Sequence, residues 1–264
     1  MLHWCKICFI LLCAVPLLSG CLDESERPDD LTDAREYMRH RDFIEAEKSF
    51  ERYLRRNPDG QERLEVWNNL VDIALNVRHD RNAAIELLEA MTIEYEVNSL
   101  ERRMVQERLA EEYEQNRNYV RAMELWIALE KNPGTSQIKK AALYRNMARV
   151  YLRRLEFELA KEALGLCMAL DIPQSTKSEC QYDLADAYLV MENIEEAINE
   201  LGNLLNQGGI DDDLRVLSVF MLADALEQQG KKREALDLFE SIRFSYPNTS
   251  VVEARIEYLH TAKQ

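Results

Sequence analysis

Three arginines, Arg145, Arg149 and Arg153, recur at four-residue spacing, and on an α-helix that spacing draws them into one basic stripe. A guanidinium grips a carboxylate through two parallel hydrogen bonds, so the stripe has the chemistry to hold acidic groups. The plainer reading is a ladder of salt bridges to neighbouring helices, each worth little at an exposed surface. Beside them stand Cys167 and Cys180, without CxxC spacing, and two thiols alone do not make a zinc site. The four histidines, at 3, 40, 79 and 260, are isolated and none falls in HExxH spacing. No GxGxxG, Walker or GxSxG motif occurs, and a chain with 8 Gly has little capacity to cradle phosphates. The residues therefore predict no catalytic centre, no metal site and no cofactor. Carboxylate pairs such as Glu111-Glu112 and Glu195-Glu196 read as solvated helix faces, and Asp211, Asp212 and Asp213 read as a helix cap.

The elements that would position such a stripe are helices. Apolar residues make up 47% of the 264 and charged ones 31%, a globular composition, while 8 Gly and 6 Pro are too few for a many-stranded β fold. A formal net charge of -15 is the wrong sign for neutralising phosphates and argues against nucleic acid as a partner.

Self-similarity gives the architecture. Ala46, Ala84, Ala122, Ala160, Ala197 and Ala235 are separated by 38, 38, 38, 37 and 38 residues. Four residues after each lies a large apolar side chain: Phe50, Leu88, Trp126, Leu164, Leu201 and Phe239. Twelve before stand Ala34, Asp72, Ala110, Ala148, Ala185 and Ala223, and nine before, Tyr37, Leu75, Tyr113, Tyr151, Tyr188 and Leu226. Small residues on two helices allow close approach, and the larger columns fill the space between, so each unit is a helical hairpin. Pro58, Asn132-Pro133-Gly134, Pro173, Gly208-Gly209 and Pro247 break the chain near unit ends. A hairpin cannot bury both faces alone, so stacking builds the core.

In their order of small, aromatic, Ala, aromatic and Pro, these columns resemble the tetratricopeptide repeat family. The resemblance implies an all-α, right-handed superhelical solenoid over residues 31–264. Its six units lie at about 31–60, 61–98, 99–135, 136–173, 174–210 and 211–248, with a capping helix at about 249–262. In that family the first helix of each hairpin lines the concave surface. That would set Arg145, Arg149 and Arg153 between Glu107, Glu111 and Glu114 on one side and Tyr182, Asp183 and Asp186 on the other. It also packs the helices of Cys167 and Cys180 together, where either a disulfide or two small core thiols would fit. The function it implies is non-catalytic binding of protein partners, an acidic or carboxylate-bearing segment being the one suited to the arginines. Trp126 reads as core.

The N-terminus reads as an address. Lys6 precedes an apolar run from Ile7 to Leu18, too short to span a bilayer and suited to a signal peptide over residues 1–20. Leu18-Ser19-Gly20-Cys21 resembles the lipobox of bacterial lipoproteins, which implies lipidation of Cys21 and attachment to the cell envelope. Leu22 favours the outer membrane, facing the periplasm, and residues 21–30 form an acidic tether. The combined expectation is a lipid-anchored scaffold or adaptor, with outer-membrane assembly, secretin piloting and hydrolase adaptation as its possible settings. The rival is a lipoprotein that acts on, or regulates turnover of, cell-wall glycan through paired carboxylates in the groove.

Overall fold

A computed structural model describes residues 29–261. The signal peptide, Cys21 and most of the acidic tether lie outside the described residues. Every regular element within them is helical. The chain divides into two compact units, Met1–Val66 and Trp67–Gln264.

In the first unit, α1 (Asp30–Arg39) and α2 (Phe43–Arg56) form a hairpin, followed by the start of α3 (Arg63–Asp72). Asp29 and Asp30, expected at the end of the tether, belong to the fold. Asp29 caps α1 by accepting from the Leu31 amide, and Asp30 is buried between Arg52 and Arg56, at 2.9 and 2.7 Å. A carboxylate in the first helical turn also meets the positive end of the helix dipole.

In the second unit α3 runs on into a π-helical turn, Ile73–Val77. It is followed by α4 (Arg81–Glu94), α5 (Leu100–Gln115), α6 (Tyr119–Glu130), α7 (Gln137–Arg153), α8 (Phe157–Ala169), α9 (Gln174–Val190) and α10 (Ile194–Asn206). The last three are α11 (Asp212–Gln228), α12 (Lys232–Ser241) and α13 (Thr249–Thr261). From α4 onward each helix packs on the next, and the first helices of successive hairpins also touch, α7 with α9 and α9 with α11. This is an all-α, tetratricopeptide-like solenoid.

The repeat columns form the core of each unit. All six marker alanines are 0% exposed, and the large side chains four residues later are 0 or 1% exposed. With these alanines fully buried in a packed core, Leu in place of Ala there would overpack it and force the helices apart. Val252, Ile256 and Leu259 close the end of the stack by packing α13 beside Phe239.

Asp72 breaks its column for a structural reason. The π-turn after it holds one extra residue, which shifts the preceding register by one. Val71 takes the buried place, at 0% exposed, and Asp72 is turned outward to Arg108.

Each hairpin turns through a single left-handed residue with the same period: Arg41, His79, Arg117, Leu155, Glu192 and Gly230, at φ 52 to 85°. The next amide then bonds back across the turn, as from Asp42 to Tyr37, Asn118 to Tyr113 and Lys231 to Leu226, closing the first helix. The side chains of Asp42, Asp80 and Asn118 cap the second helix at once. Five of the six turns carry a left-handed residue with a side chain, although Gly alone takes that conformation freely.

Candidate binding groove

The first helices of the hairpins carry the charged stripe, and its side chains are paired across the groove between them. Arg149 of α7 donates to Glu114 of α5 in a two-pronged bond, 2.6 and 3.0 Å, and that Glu114 side chain is only 8% exposed. Arg145 turns the other way and donates to both Glu179 and Asp183 of α9. Lys139 of α7 holds Glu107 of α5, and Arg108 of α5 holds Asn68 and Asp72 of α3. Burial works against the Arg145 charge, but the bonds to Asp183 and Glu179 outweigh it and raise its pKa. The bond to Glu114 is the main reason that Arg149 is raised as well. Of the two readings of the stripe, the ladder describes Arg145 and Arg149. Both guanidiniums are held by this chain's own carboxylates, so neither is free to receive an acidic ligand.

Four sequence-predicted residues remain outside the ladder: Arg153, Glu111, Asp186 and Tyr182. Arg153 is exposed on the last turn of α7. Glu111 and Asp186 lie in the groove on either side of α7 without a hydrogen bond or ion pair among the described residues. Both reach solvent, yet the surrounding protein raises their pKa values chiefly by desolvation. Glu107 and Glu112 add to the effect at Glu111, and Asp183 adds to it at Asp186, with Arg149 and Arg153 respectively opposing it. Next to Asp186 the Tyr182 phenol is pushed up to about 12, first by burial and then by the neighbouring Asp186, Tyr246 and Asp183. Tyr246, from the segment after α12, stacks on Phe220 of α11 at 4.5 Å between ring centres.

Between α7 and α9 lies a cleft of about 320 Å³, lined by the apolar Ala142, Leu152 and Leu164 and by Asn146, Arg145, Arg149, Asp183 and Asp186; Glu111, Tyr182 and the aromatic pair stand outside its lining. Sequence reasoning missed Asn146 and the aromatic pair of Phe220 and Tyr246. It had the signal for Asp183, since Arg145 and Asp183 are one repeat apart and so lie side by side. The same arithmetic places Glu111 beside Arg149, but the side chain reaches one turn further to Glu114.

Cys167 of α8 and Cys180 of α9 are joined in a disulfide with a Cα separation of 6.1 Å, linking consecutive hairpins. Ala141 packs against both. Trp126 is 1% exposed within the core. Among the described residues no group of three or more His, Cys, Asp or Glu is placed to hold a metal ion. No described helix is long and apolar enough to cross a membrane.

The sequence pattern of the tetratricopeptide repeat family matches residues 31–90 and 182–249. No curated protein matches the chain by sequence. Among solved structures it resembles the tetratricopeptide-like repeats of a kinesin light chain from Podosopora anserina, with 22% identity over 74% of this chain and 97% of that one, TM-score 0.55. It also resembles the C-terminal part of a tetratricopeptide-repeat protein of Cytophaga hutchinsonii, with 13% identity over 81% and 78% of the two chains and TM-score 0.56. A third similar structure is Pseudomonas aeruginosa PilF, with 13% identity over 89% and 96%, TM-score 0.52. At these identities the likeness is one of fold. The chain thus has the fold of a tetratricopeptide solenoid, and residues 31–90 and 182–249 match the tetratricopeptide repeat pattern by sequence as well.

Proposed function

We propose that this chain is a non-catalytic scaffold that holds a protein partner on the first-helix face of its repeats, anchored to the bacterial cell envelope by lipid on Cys21. The observation that carries the binding role is the cleft between α7 and α9. It is open to solvent, and the ladder of paired side chains fixes its walls in place. A rigid groove binds a segment without first having to order itself, which lowers the cost of association. The envelope setting rests on Leu18-Ser19-Gly20-Cys21 behind the apolar run, and the outer membrane, facing the periplasm, on Leu22. The disulfide supports it, because such bonds persist in oxidising compartments and are rare where thiols are kept reduced. An acidic partner segment is not carried forward, since the arginines that suggested it are occupied.

Affinity capture from envelope membranes tests both parts. Asn146→Trp fills the cleft, and Glu162→Trp places the same bulk on the exposed side of α8. The proposal expects partners captured by the native protein to be lost with Asn146→Trp and kept with Glu162→Trp. Equal capture by both variants contradicts the groove, and lipid labelling that persists in Cys21→Ala contradicts the anchor.

A further inference from the structure

The partner's chemistry follows from what the ladder leaves over. The charged side chains along this part of the groove include Lys139, Arg145, Arg149 and Arg153 against Glu107, Glu111, Glu114, Glu179, Asp183 and Asp186. That is four positive charges facing six negative, Lys139 being paired with Glu107. The pairing is also uneven: Arg145 and Arg149 are spent on three of the carboxylates, while Glu111 and Asp186 keep solvent-facing oxygens with no partner. Arg153 lies near enough to Asp186 to act on it but forms no contact with it.

Resting on the scaffold reading above, we infer that the groove between α5 and α9 recognises a cationic segment, one presenting lysine or arginine side chains to Asp186 and Glu111. This reverses the charge expected from the arginine stripe alone. An incoming ammonium or guanidinium would replace solvent at two carboxylates that the surrounding protein already desolvates, and each contact would be charge-assisted. The apolar stretch formed by Ala142, Leu152 and Leu164 suits the methylene stem of such a side chain, whose charged end then reaches Asp186. Next to Asp186 stands the half-buried Tyr182, an aromatic ring of the kind that attracts cations, with the stacked pair of Phe220 and Tyr246 packed near it. An acidic segment would meet two unpaired carboxylates and no unpaired groove arginine except Arg153 at the rim.

The test uses the full-length protein in detergent and three fluorescent peptides of equal length, differing only in carrying two Arg, two Glu or two Gln. A protein of net charge -15 attracts cations everywhere, so the control must remove equal charge elsewhere. The groove variant is Glu111→Gln with Asp186→Asn, and the control is Glu162→Gln with Glu195→Gln on the second helices α8 and α10. The expected result is binding of the arginine peptide above the other two, weakened about tenfold or more in the groove variant and by less than about twofold in the control. Equal weakening in both variants, or preference for the glutamate peptide, overturns the inference. Either outcome leaves the scaffold intact if Asn146→Trp still abolishes capture, so the two claims fail separately.

Discussion

Replacing Arg149 separates a structural ladder from a free binding stripe. Its guanidinium makes two charge-assisted bonds to Glu114, whose side chain is 8% exposed, whereas the arginine itself is 47% exposed. Removing the arginine leaves a nearly buried carboxylate without its counter-charge, and hydrogen bonds to charged groups are worth about 1.5–3 kcal/mol. Arg149→Met should therefore destabilise the protein by about 1.5–3 kcal/mol, and at about 2–4 °C per kcal/mol lower its Tm by roughly 3–12 °C. Glu114→Gln should cost less, about 0.5–1.5 kcal/mol, because the exposed arginine that remains can turn to water. The double variant should be more stable than the sum of the two losses implies, with a coupling of about 1–2 kcal/mol. Urea unfolding followed by helical circular dichroism, on all four proteins, provides the cycle. Additive losses, or a loss below about 0.5 kcal/mol for Arg149→Met, would refute the assignment of this arginine to the ladder.

Three further outcomes follow from the same geometry. Leu155 is 71% exposed at φ 60°, so Leu155→Gly should relieve left-handed strain and stabilise by about 0.5–1 kcal/mol, whereas Gly230→Ala should cost about 1 kcal/mol; thermal melts decide the signs. Cys167 and Cys180 are 13 residues apart, and closing a loop of that size restricts the unfolded chain by about 3 kcal/mol, so the unfolding midpoint should fall by that equivalent when reductant is added. The Asp186 carboxyl is raised above its ordinary value in the folded protein, chiefly by burial and then by Asp183. The native state therefore binds more proton there than the unfolded one, and this group's contribution to stability falls as pH rises from about 3.9 through the raised value. Asp186→Asn should raise Tm at pH 7 and lose that advantage as the pH falls to about 3.9; a constant difference at all pH values would contradict the assignment.

The repeat was legible because its physics is local to each copy. A methyl at every close approach and a large side chain four residues on recur wherever the same hairpin is built, so the alanine columns revealed themselves by period alone. Asp72 looked like an exception and is a displaced one: a π-turn costs a single residue and leaves no mark on the 38-residue count. The left-handed turn was hidden for the opposite reason. Arg, His, Leu and Glu fill it in five copies, so the packing of the two helices sets that backbone against the residues' own preference. Its surviving signal was the Asp or Asn that follows in four copies, Asp42, Asp80, Asn118 and Asn193. In the groove, one repeat of offset placed Arg145 beside Asp183, but the choice of Glu114 over Glu111 is made by side-chain reach, which spacing does not encode. The bonding of Cys167 to Cys180 depends on an approach of two helices that the sequence brought together without fixing the distance.

If the first-helix groove is the surface that holds a partner, photo-crosslinking in living cells will trap that partner there. A benzophenone amino acid is placed at Asn146 in the cleft, and in a parallel strain at Glu162 on the exposed side of α8. A discrete crosslinked protein is expected from position 146 and none from position 162. Crosslinks from position 162 alone would contradict it and move the binding surface to the second helices.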